Sequence, residues 1–366
     1  MRSEPCLDPV RPSRRDLVSA AAGLAVSCAA SREVRAAAPR AAGKPVMVGS
    51  ENALPGMRAQ FPKLAAGGAP LDAAIEVCKV AEADPEDTSV GLGGLPNEDG
   101  VVQLDAACMD GRTHNSGAVA AIENILHPIE VARVVMERTD HCQIFGEGAY
   151  RFARAHGFAH TELLTEKARA IWMRWKEEMS ERDDRLPPPK PPKKEEPKTG
   201  ALAGKFDRHG TIHCSVLALD GNVACATSTS GLAFKIPGRV GDSAIVGAGL
   251  YCDAEAGSAG STGRGEASIL ACASATIVEL MRGGRSPKDA GLEVLRRIVK
   301  QTERQAQWQP ALLGADGRPA FDIQFYVVAR DGDYAGVTLH GTSHARFAVA
   351  GPEQEPRLEP LVPYFS

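Results

Sequence analysis

The chain has 366 residues, 43% hydrophobic and 24% charged, with a formal net charge of −4. That length supports one large domain or two modest ones with a sizeable core, and the near-balanced charge argues against nucleic acid or an anionic membrane surface as a partner. The 37 glycines and 25 prolines beside few aromatics exclude a simple helical bundle and favour a turn-rich mixed fold.

Residues 1–38 read as an export leader. Ser13-Arg14-Arg15-Asp16-Leu17-Val18 has the pattern of a twin-arginine signal. The apolar run that follows, about Leu17 to Ala30, is too short for a permanent membrane span. Val34-Arg35-Ala36 and Ala36-Ala37-Ala38 offer cleavage sites, which implies a periplasmic or secreted protein. Two alternatives stay open: a disordered Ala-rich N-terminus, and a lipid anchor on Cys28, in a weak lipobox where Ala25 replaces the usual Leu. With Cys6 and Cys28 in the leader, the remaining cysteines are scattered singly without C-x-x-C spacing. They read as small buried hydrophobes rather than zinc or dithiol sites.

Pro45-Val46-Met47-Val48 predicts a first strand. Helices follow over Gly56–Ala66 and Leu71–Ala83, the second with Leu71, Ile75, Cys78 and Ala81 near one face, and Gly67-Gly68 ends the first. The run from Ser89 to Pro96 is glycine-rich but forms neither G-x-G-x-x-G nor Gly-Lys-Ser/Thr, so a structural turn is expected. Val101–Met109 reads as a strand, Pro128–Glu137 as a helix, and Gln143-Ile144-Phe145 as a short strand. Gly148–His156 and Thr165–Glu178 read as helices, the latter with Trp172 and Trp175 on a packing face. His141-Cys142 lacks partners at ligand spacing. Residues 180–204, rich in Pro, Lys and Glu, cannot build a core and read as a linker.

Beyond the linker, Thr211–Leu219 and Asn222–Thr227 predict a hairpin around Asp220-Gly221. Gly265–Met281 and Pro287–Gln301 read as helices, and Phe321–Ala329 and Ala335–Leu339 as strands. Strands, helices, helices, strands is the order of an α+β protein with four α/β/β/α layers.

The junction His209-Gly210-Thr211-Ile212-His213 carries the chemistry. Scission before Thr211 would put a hydroxyl and a free α-amine on one residue, and the amine could serve as base for the hydroxyl. His209 and His213 themselves read as junction and packing residues. Three further stretches combine hydroxyls, glycines and single charges: 227–231, 238–243 and 261–266. Arg239 could grip a carboxylate through its two-pronged guanidinium, with Asp242 pairing an ammonium. A surface Arg–Asp pair of small energetic value is the competing reading.

Taken together, Phe234-Lys235-Ile236-Pro237-Gly238-Arg239-Val240-Gly241-Asp242-Ser243, Thr211, Thr227-Ser228-Thr229 and Thr262-Gly263 resemble the β-subunit of the glycosylasparaginases, in the N-terminal-nucleophile hydrolase superfamily. In the first half, the run from Ser89 to Glu98, Leu104-Asp105-Ala106 through Met109-Asp110-Gly111, and Gly117-Ala118-Val119 are also similar to that family. The resemblance covers most of the chain from about Val46.

It implies one hydrolase domain with the N-terminal-nucleophile sandwich, cut into an α-chain (39–210) and a β-chain (211–366) that assemble as (αβ)2, with no cofactor or metal. Thr211 would be the nucleophile, freed by self-cleavage after Gly210, and Thr229 its hydrogen-bonding assistant. Arg239 and Asp242 would bind the substrate α-carboxylate and α-ammonium. Thr262 and Gly263 would form the oxyanion hole, and Arg264 and Gly265 would line the substrate site. The substrate class is an asparagine side-chain amide such as N4-(β-N-acetylglucosaminyl)-L-asparagine, cleaved to aspartate.

Two positions depart from the family pattern. Gly210 stands where many members have Asp, so self-cleavage would lean on strain, which glycine accommodates. Gly49-Ser50-Glu51-Asn52 lacks the usual substrate-side Trp, which bears on sugar recognition. An L-asparaginase or β-aspartyl peptidase of the same superfamily is the alternative, and a silent uncleaved binding protein on the same fold a third reading.

Overall fold

A computed structural model describes residues 44–179, 210–341 and 345–365. The leader, Cys28, the 180–204 linker and His209 lie outside them. Strand β1 (Val46–Ser50) is buried throughout. Helices α1 (Leu54–Ala65) and α2 (Pro70–Glu82) follow, each with proline in its first turn, where the missing N–H costs nothing. The expected stripe of Leu71, Ile75, Cys78 and Ala81 is buried. Gly67, at φ 95°, ends α1: its N–H goes to Leu64 O and that of Gly68 to Lys63 O.

The first half continues with β2 (Gln103–Asp110), β3 (Ser116–Glu123), α3 (Pro128–Arg138), β4 (Gln143–Phe145), α4 (Gly146–Ala155) and α5 (Glu166–Glu178). After the linker come the predicted hairpin, β5 (Ile212–Leu217) and β6 (Val223–Thr229), then β7 (Leu250–Asp253) and β8 (Gly257–Gly263). Helices α6 (Gly265–Ala271), α7 (Ala273–Arg282) and α8 (Pro287–Gln305) precede the closing strands β9 (Ile323–Ala329), β10 (Tyr334–His340), β11 (Arg346–Gly351), β12 (Gln354–Pro360) and β13 (Val362–Phe365).

The strands form two sheets, in the orders β12-β11-β1-β5-β6-β2-β3-β4 and β13-β10-β9-β8-β7. Only β3–β4 and β10–β13 pair in parallel among the described strands. Three apolar clusters mark the layer boundaries. Met57, Leu64, Ile75 and Ile129 pack the first helices on the larger sheet. Val48, Met109, Leu217, Tyr326 and Phe347 lie between the sheets. Ile277, Val294, Ile298, Phe325 and Val337 pack α7 and α8 on the smaller sheet. The result is the expected α/β/β/α sandwich, each element burying its one apolar face.

The single helix expected over Gly265–Met281 is two helices. Cys272 sits at φ 44°, ψ 50°, a left-handed conformation that ends α6. Hydroxyls on both sides of the break, Ser268 Oγ (3.0 Å) and Ser274 Oγ (2.5 Å), donate to the same carbonyl, Ala248 O. That shared bond fixes the corner, so α7 packs on β7 and β8 while α6 starts at the site. Among the described cysteines, Cys78, Cys108, Cys214, Cys225 and Cys252 are buried thiols and Cys142 and Cys272 are exposed. Burial pushes the Cys108 thiol up to about 12. Among the described residues no helix is long and apolar enough to cross a membrane, and no His/Cys/Asp/Glu cluster could hold a metal ion.

Candidate active site

Thr211 sits at the entry to β5. The hairpin register pairs Ile212 with Ser228, which sets Thr211 opposite Thr229, the last residue of β6. Thr211 Oγ1 donates to Thr229 Oγ1 (3.1 Å), and Thr229 Oγ1 donates to the carbonyl of Gly210 (3.0 Å). Gly231 N–H donates to the same Thr229 oxygen (2.9 Å). Both threonines are buried, so one hydroxyl links the neighbouring hydroxyl to the carbonyl that precedes it.

The loop after β6 brings charge to this point, and β2 anchors it. Lys235 Nζ donates to Gln103 O (3.0 Å), Gln103 Oε1 accepts from Gly238 N (2.9 Å), and Asp105 Oδ2 accepts from Gly241 N (3.2 Å). Asp105 Oδ1 takes Ala121 N–H (2.8 Å), tying the same carboxylate to β3. Lys235 is buried. Desolvation lowers its pKa, against the pull of Asp105 and with the push of Arg239.

Between its glycine anchors the loop presents Arg239 and Asp242. Arg239 Nε and Nη2 both donate to Glu266 Oε1 (3.1 and 2.7 Å). A Cβ on Gly241 or Gly231 would come within 3.0 or 3.5 Å of Arg239 Nη1, so that nitrogen lies between the two glycines. Burial would raise the Glu266 carboxyl, but the bonds and charge of Arg239 hold it below its usual range. Asp242 is buried and accepts from Ser261 Oγ on Oδ2. Desolvation raises its carboxyl, with Ser261 and Arg239 opposing. Gly210, Thr211, Thr229, Arg239, Asp242, Gly263 and Gly265 all line one cavity.

Two predicted site groups point elsewhere. Thr262 Oγ1 meets Tyr326 OH at 2.8 Å, and Tyr326 OH donates to Gln324 Oε1 (2.9 Å). The tyrosine proton is thereby taken, so Thr262 gives its own proton to Tyr326. The Arg264 guanidinium lies over the Phe321 ring, 5.4 Å from its centroid, as a cation–π contact. His213 is a packing residue as expected. Its Nε2 meets Ser215 Oγ at 2.8 Å between the sheets, and burial pushes it down to about 3. The Trp pair of α5 also packs: Trp172 Nε1 donates to Glu98 O (3.1 Å) and Trp175 stacks on Phe234 at 4.4 Å.

Sequence reasoning left Ser89, Glu266, Ser261 and Tyr326 without roles at the site. Two of them carried a signal: Glu266, a carboxylate at a helix start beside Arg264, and Ser261, a hydroxyl in the same 261–266 run. The others touch the site only through sheet register and loop packing.

A family model described as asparaginase matches residues 48–308. The N(4)-(beta-N-acetylglucosaminyl)-L-asparaginase of Elizabethkingia miricola is 36% identical over 308 residues, covering 82% of this chain and 80% of that protein. The enzyme of the same name from Rattus norvegicus is 39% identical over 248 residues, 65% of this chain and 72% of the rat protein. An isoaspartyl peptidase/L-asparaginase of Danio rerio is 36% identical over 236 residues, 64% and 70% of the two chains. Match length and identity agree with the fold and with the charged cavity at the β5–β6 hairpin: the chain belongs to the asparaginase family and is an amidohydrolase.

Proposed function

We propose that the chain is a self-processing amidohydrolase that cleaves the side-chain amide of N4-(β-N-acetylglucosaminyl)-L-asparagine or a related asparagine derivative, with Thr211 as its N-terminal nucleophile. The observation that carries this reading is the hydroxyl chain from Thr211 through Thr229 to the Gly210 carbonyl, set in the cavity of Arg239 and Asp242.

In the first step Thr211 Oγ1 attacks the Gly210 carbonyl carbon while Thr229 Oγ1 steadies the carbonyl oxygen. The Gly210–Thr211 C–N bond breaks, the hydroxyl proton passes to the Thr211 nitrogen, and the ester formed is hydrolysed by water. The liberated α-amine, with an ordinary pKa of about 7.7–8.0, then serves as base for the same hydroxyl. In turnover Arg239 holds the substrate α-carboxylate and Asp242 its α-ammonium. Thr211 Oγ1 attacks the side-chain amide carbon and the proton leaves with the amine. The oxyanion is taken by the Gly263 amide and by Thr262, its hydroxyl rotated away from Tyr326. Water releases aspartate from the β-aspartyl ester. The leader makes the enzyme an exported one, and (αβ)2 is its proposed assembly.

A β-aspartyl peptidase or L-asparaginase is the second reading, favoured by the Trp-free segment 49–52 and by Gly210 before the nucleophile. Denaturing electrophoresis with N-terminal sequencing tests the shared mechanism. Two fragments, the second beginning at Thr211, are expected, and Thr211→Ala should stay whole and inactive. A fully active, uncut chain would overturn it. Aspartate release from N4-GlcNAc-asparagine, a β-aspartyl dipeptide and asparagine then ranks the substrates, and faster turnover of the dipeptide would transfer the assignment to the second reading.

A further inference from the structure

Strand register puts Gly260 of β8 opposite Tyr326 of β9, and Thr262 opposite Gln324. The four residues share one face of the sheet. Tyr326 is thus the diagonal neighbour of Thr262, a distance that a long ring can span, and the two hydroxyl oxygens meet at 2.8 Å. The ring itself is fixed, being 1% exposed. A Cβ on Gly260 would lie 2.0 Å from His213 Cε1, so the His213 ring fills the space that the glycine leaves open. It lies nearly parallel to the Tyr326 ring, at 13° with centroids 6.2 Å apart. His213 Nε2 is held by Ser215 Oγ, which meets Ser258 Oγ at 2.7 Å. Within this packing only the Tyr326 O–H is free to turn.

That proton has two oxygens in reach, Gln324 Oε1 at 2.9 Å and Thr262 Oγ1 at 2.8 Å. Gln324 presents its oxygen because its Nε2 faces Asp322 Oδ2 (3.4 Å). Asp322 is anchored in turn, with Oδ1 accepting from Thr338 Oγ1 (3.1 Å) and His340 N (3.2 Å). Burial pushes the Tyr326 phenol up, against the Thr262 bond, so the ring oxygen keeps its proton throughout the working pH range. As it stands, donation runs from Thr262 through Tyr326 to Gln324, away from the cavity. The proposed turnover sends the Thr262 proton to the oxyanion instead. Two buried oxygens 2.8 Å apart cannot be left with no proton between them. Once Thr262 turns to the cavity, the Tyr326 proton must fill the gap. Gln324 Oε1 gives it up at little cost, because Gln324 is only half-buried and water can replace the donor.

We infer that Tyr326 is a positioning residue for the oxyanion hole: its O–H turns from Gln324 to Thr262 as the oxyanion forms and holds the Thr262 hydroxyl on the cavity side. This rests on the proposed assignment of Thr211 as nucleophile and Thr262 as oxyanion donor. Donation then runs from Tyr326 through Thr262 to the oxyanion. No proton changes atoms; two O–H bonds rotate. Successive donors polarise one another, which makes Thr262 a stronger donor than a lone hydroxyl. Tyr326 lies between the sheets and acts through Thr262 alone. Neither substrate capture by Arg239 and Asp242 nor self-cleavage, where Thr229 steadies the carbonyl, draws on it.

Steady-state kinetics on the matured enzyme test this, using the fastest of the three substrates, with the rate of chain scission recorded for each variant. Tyr326→Phe keeps the packed ring and removes only its oxygen. It should lower kcat and kcat/KM together by about threefold to tenfold, the loss of one hydrogen bond made in the transition state, while scission keeps its parental rate. Thr262→Val should cost about a hundredfold or more, and adding Tyr326→Phe to it should cost nothing further. Gln324→Leu should act in the opposite direction. With that acceptor gone the Tyr326 proton rests on Thr262 before substrate arrives, and kcat should rise by about twofold or more. Parental kcat in Tyr326→Phe, an equal further loss in the Thr262→Val background, or scission slowed in step with kcat overturns the proposal. A Gln324→Leu kcat at or below the parental value does so too. Thr211→Ala separates the two levels: if it still releases aspartate, the underlying assignment fails, whereas an inactive Thr211→Ala beside a fully active Tyr326→Phe removes only the role of Tyr326.

Discussion

Asp242 is buried and its carboxyl is raised by desolvation, yet the proposed chemistry needs it ionised against an ammonium. A raised pKa means that acidification protonates Asp242 at a higher pH than an exposed aspartate, whose ordinary value is about 3.9. Below the break set by the α-amine, log(kcat/KM) should therefore steepen a second time, above that ordinary value, with KM rising. Asp242→Asn should lack the second break at every pH. A profile with a single break in both proteins would mean that Asp242 does not titrate in turnover. Glu266 is held low by Arg239, so it stays charged across the same window and keeps Arg239 in place. Thr211, Thr229, Arg239 and Asp242 were legible in the sequence because each sits in a short run of hydroxyls, glycines and lone charges. Ser89 and Tyr326 were not, since their meaning comes from partners far away in the chain.

At the scale of elements, Glu82 shows how a single side chain joins three of them. It ends α2, is fully buried, and accepts from Ser228 Oγ on β6 (2.7 Å) and from Ile129 N in the first turn of α3 (3.2 Å), both on Oε1. Oε2 faces His127 Nδ1 at 3.0 Å. A helix start is thus capped by a carboxylate from another helix, where charge and hydrogen-bond direction both suit it. Glu82→Ala should cost about 3 kcal/mol, because it strands a buried hydroxyl and a buried N–H, whereas Glu82→Gln, which keeps an acceptor at Oε1, should cost clearly less. Denaturant midpoints at constant m measure both, and equal costs would assign the loss to volume rather than to hydrogen bonding. Elements with strong local grammar, such as α2, α8 and the β5–β6 hairpin, could be read directly. Strand β8 could not, because Gly-Ser-Ala-Gly-Ser-Thr-Gly has little strand propensity. Its small residues answer a tertiary demand: a Cβ on Gly260 would lie 2.0 Å from the His213 ring. Strands β11, β12 and β13 were missed too, although β11 pairs with β1 and extends the larger sheet.

Across the whole molecule, strands from either side of residue 210 alternate within the larger sheet. β1 stands between β11 and β5, and β2 pairs with β6 on one edge and β3 on the other. The four-layer architecture was readable from element order, but this interleaving was not, since pairing partners depend on contacts far apart in sequence. The fragments of a chain cut at Gly210–Thr211 should therefore elute together in native size exclusion and separate only in denaturant. Separation in dilute native buffer would contradict the shared sheet.

That alternation also makes the direction of folding matter. An intact polypeptide assembles its larger sheet as a first-order event, indifferent to dilution. Once severed, the same sheet can be rebuilt only when two molecules meet, so recovery after heating becomes second-order and fails first in the most dilute samples. Maturation would thus trade the ability to refold alone for a working terminus, leaving a product whose durability rests on never coming apart.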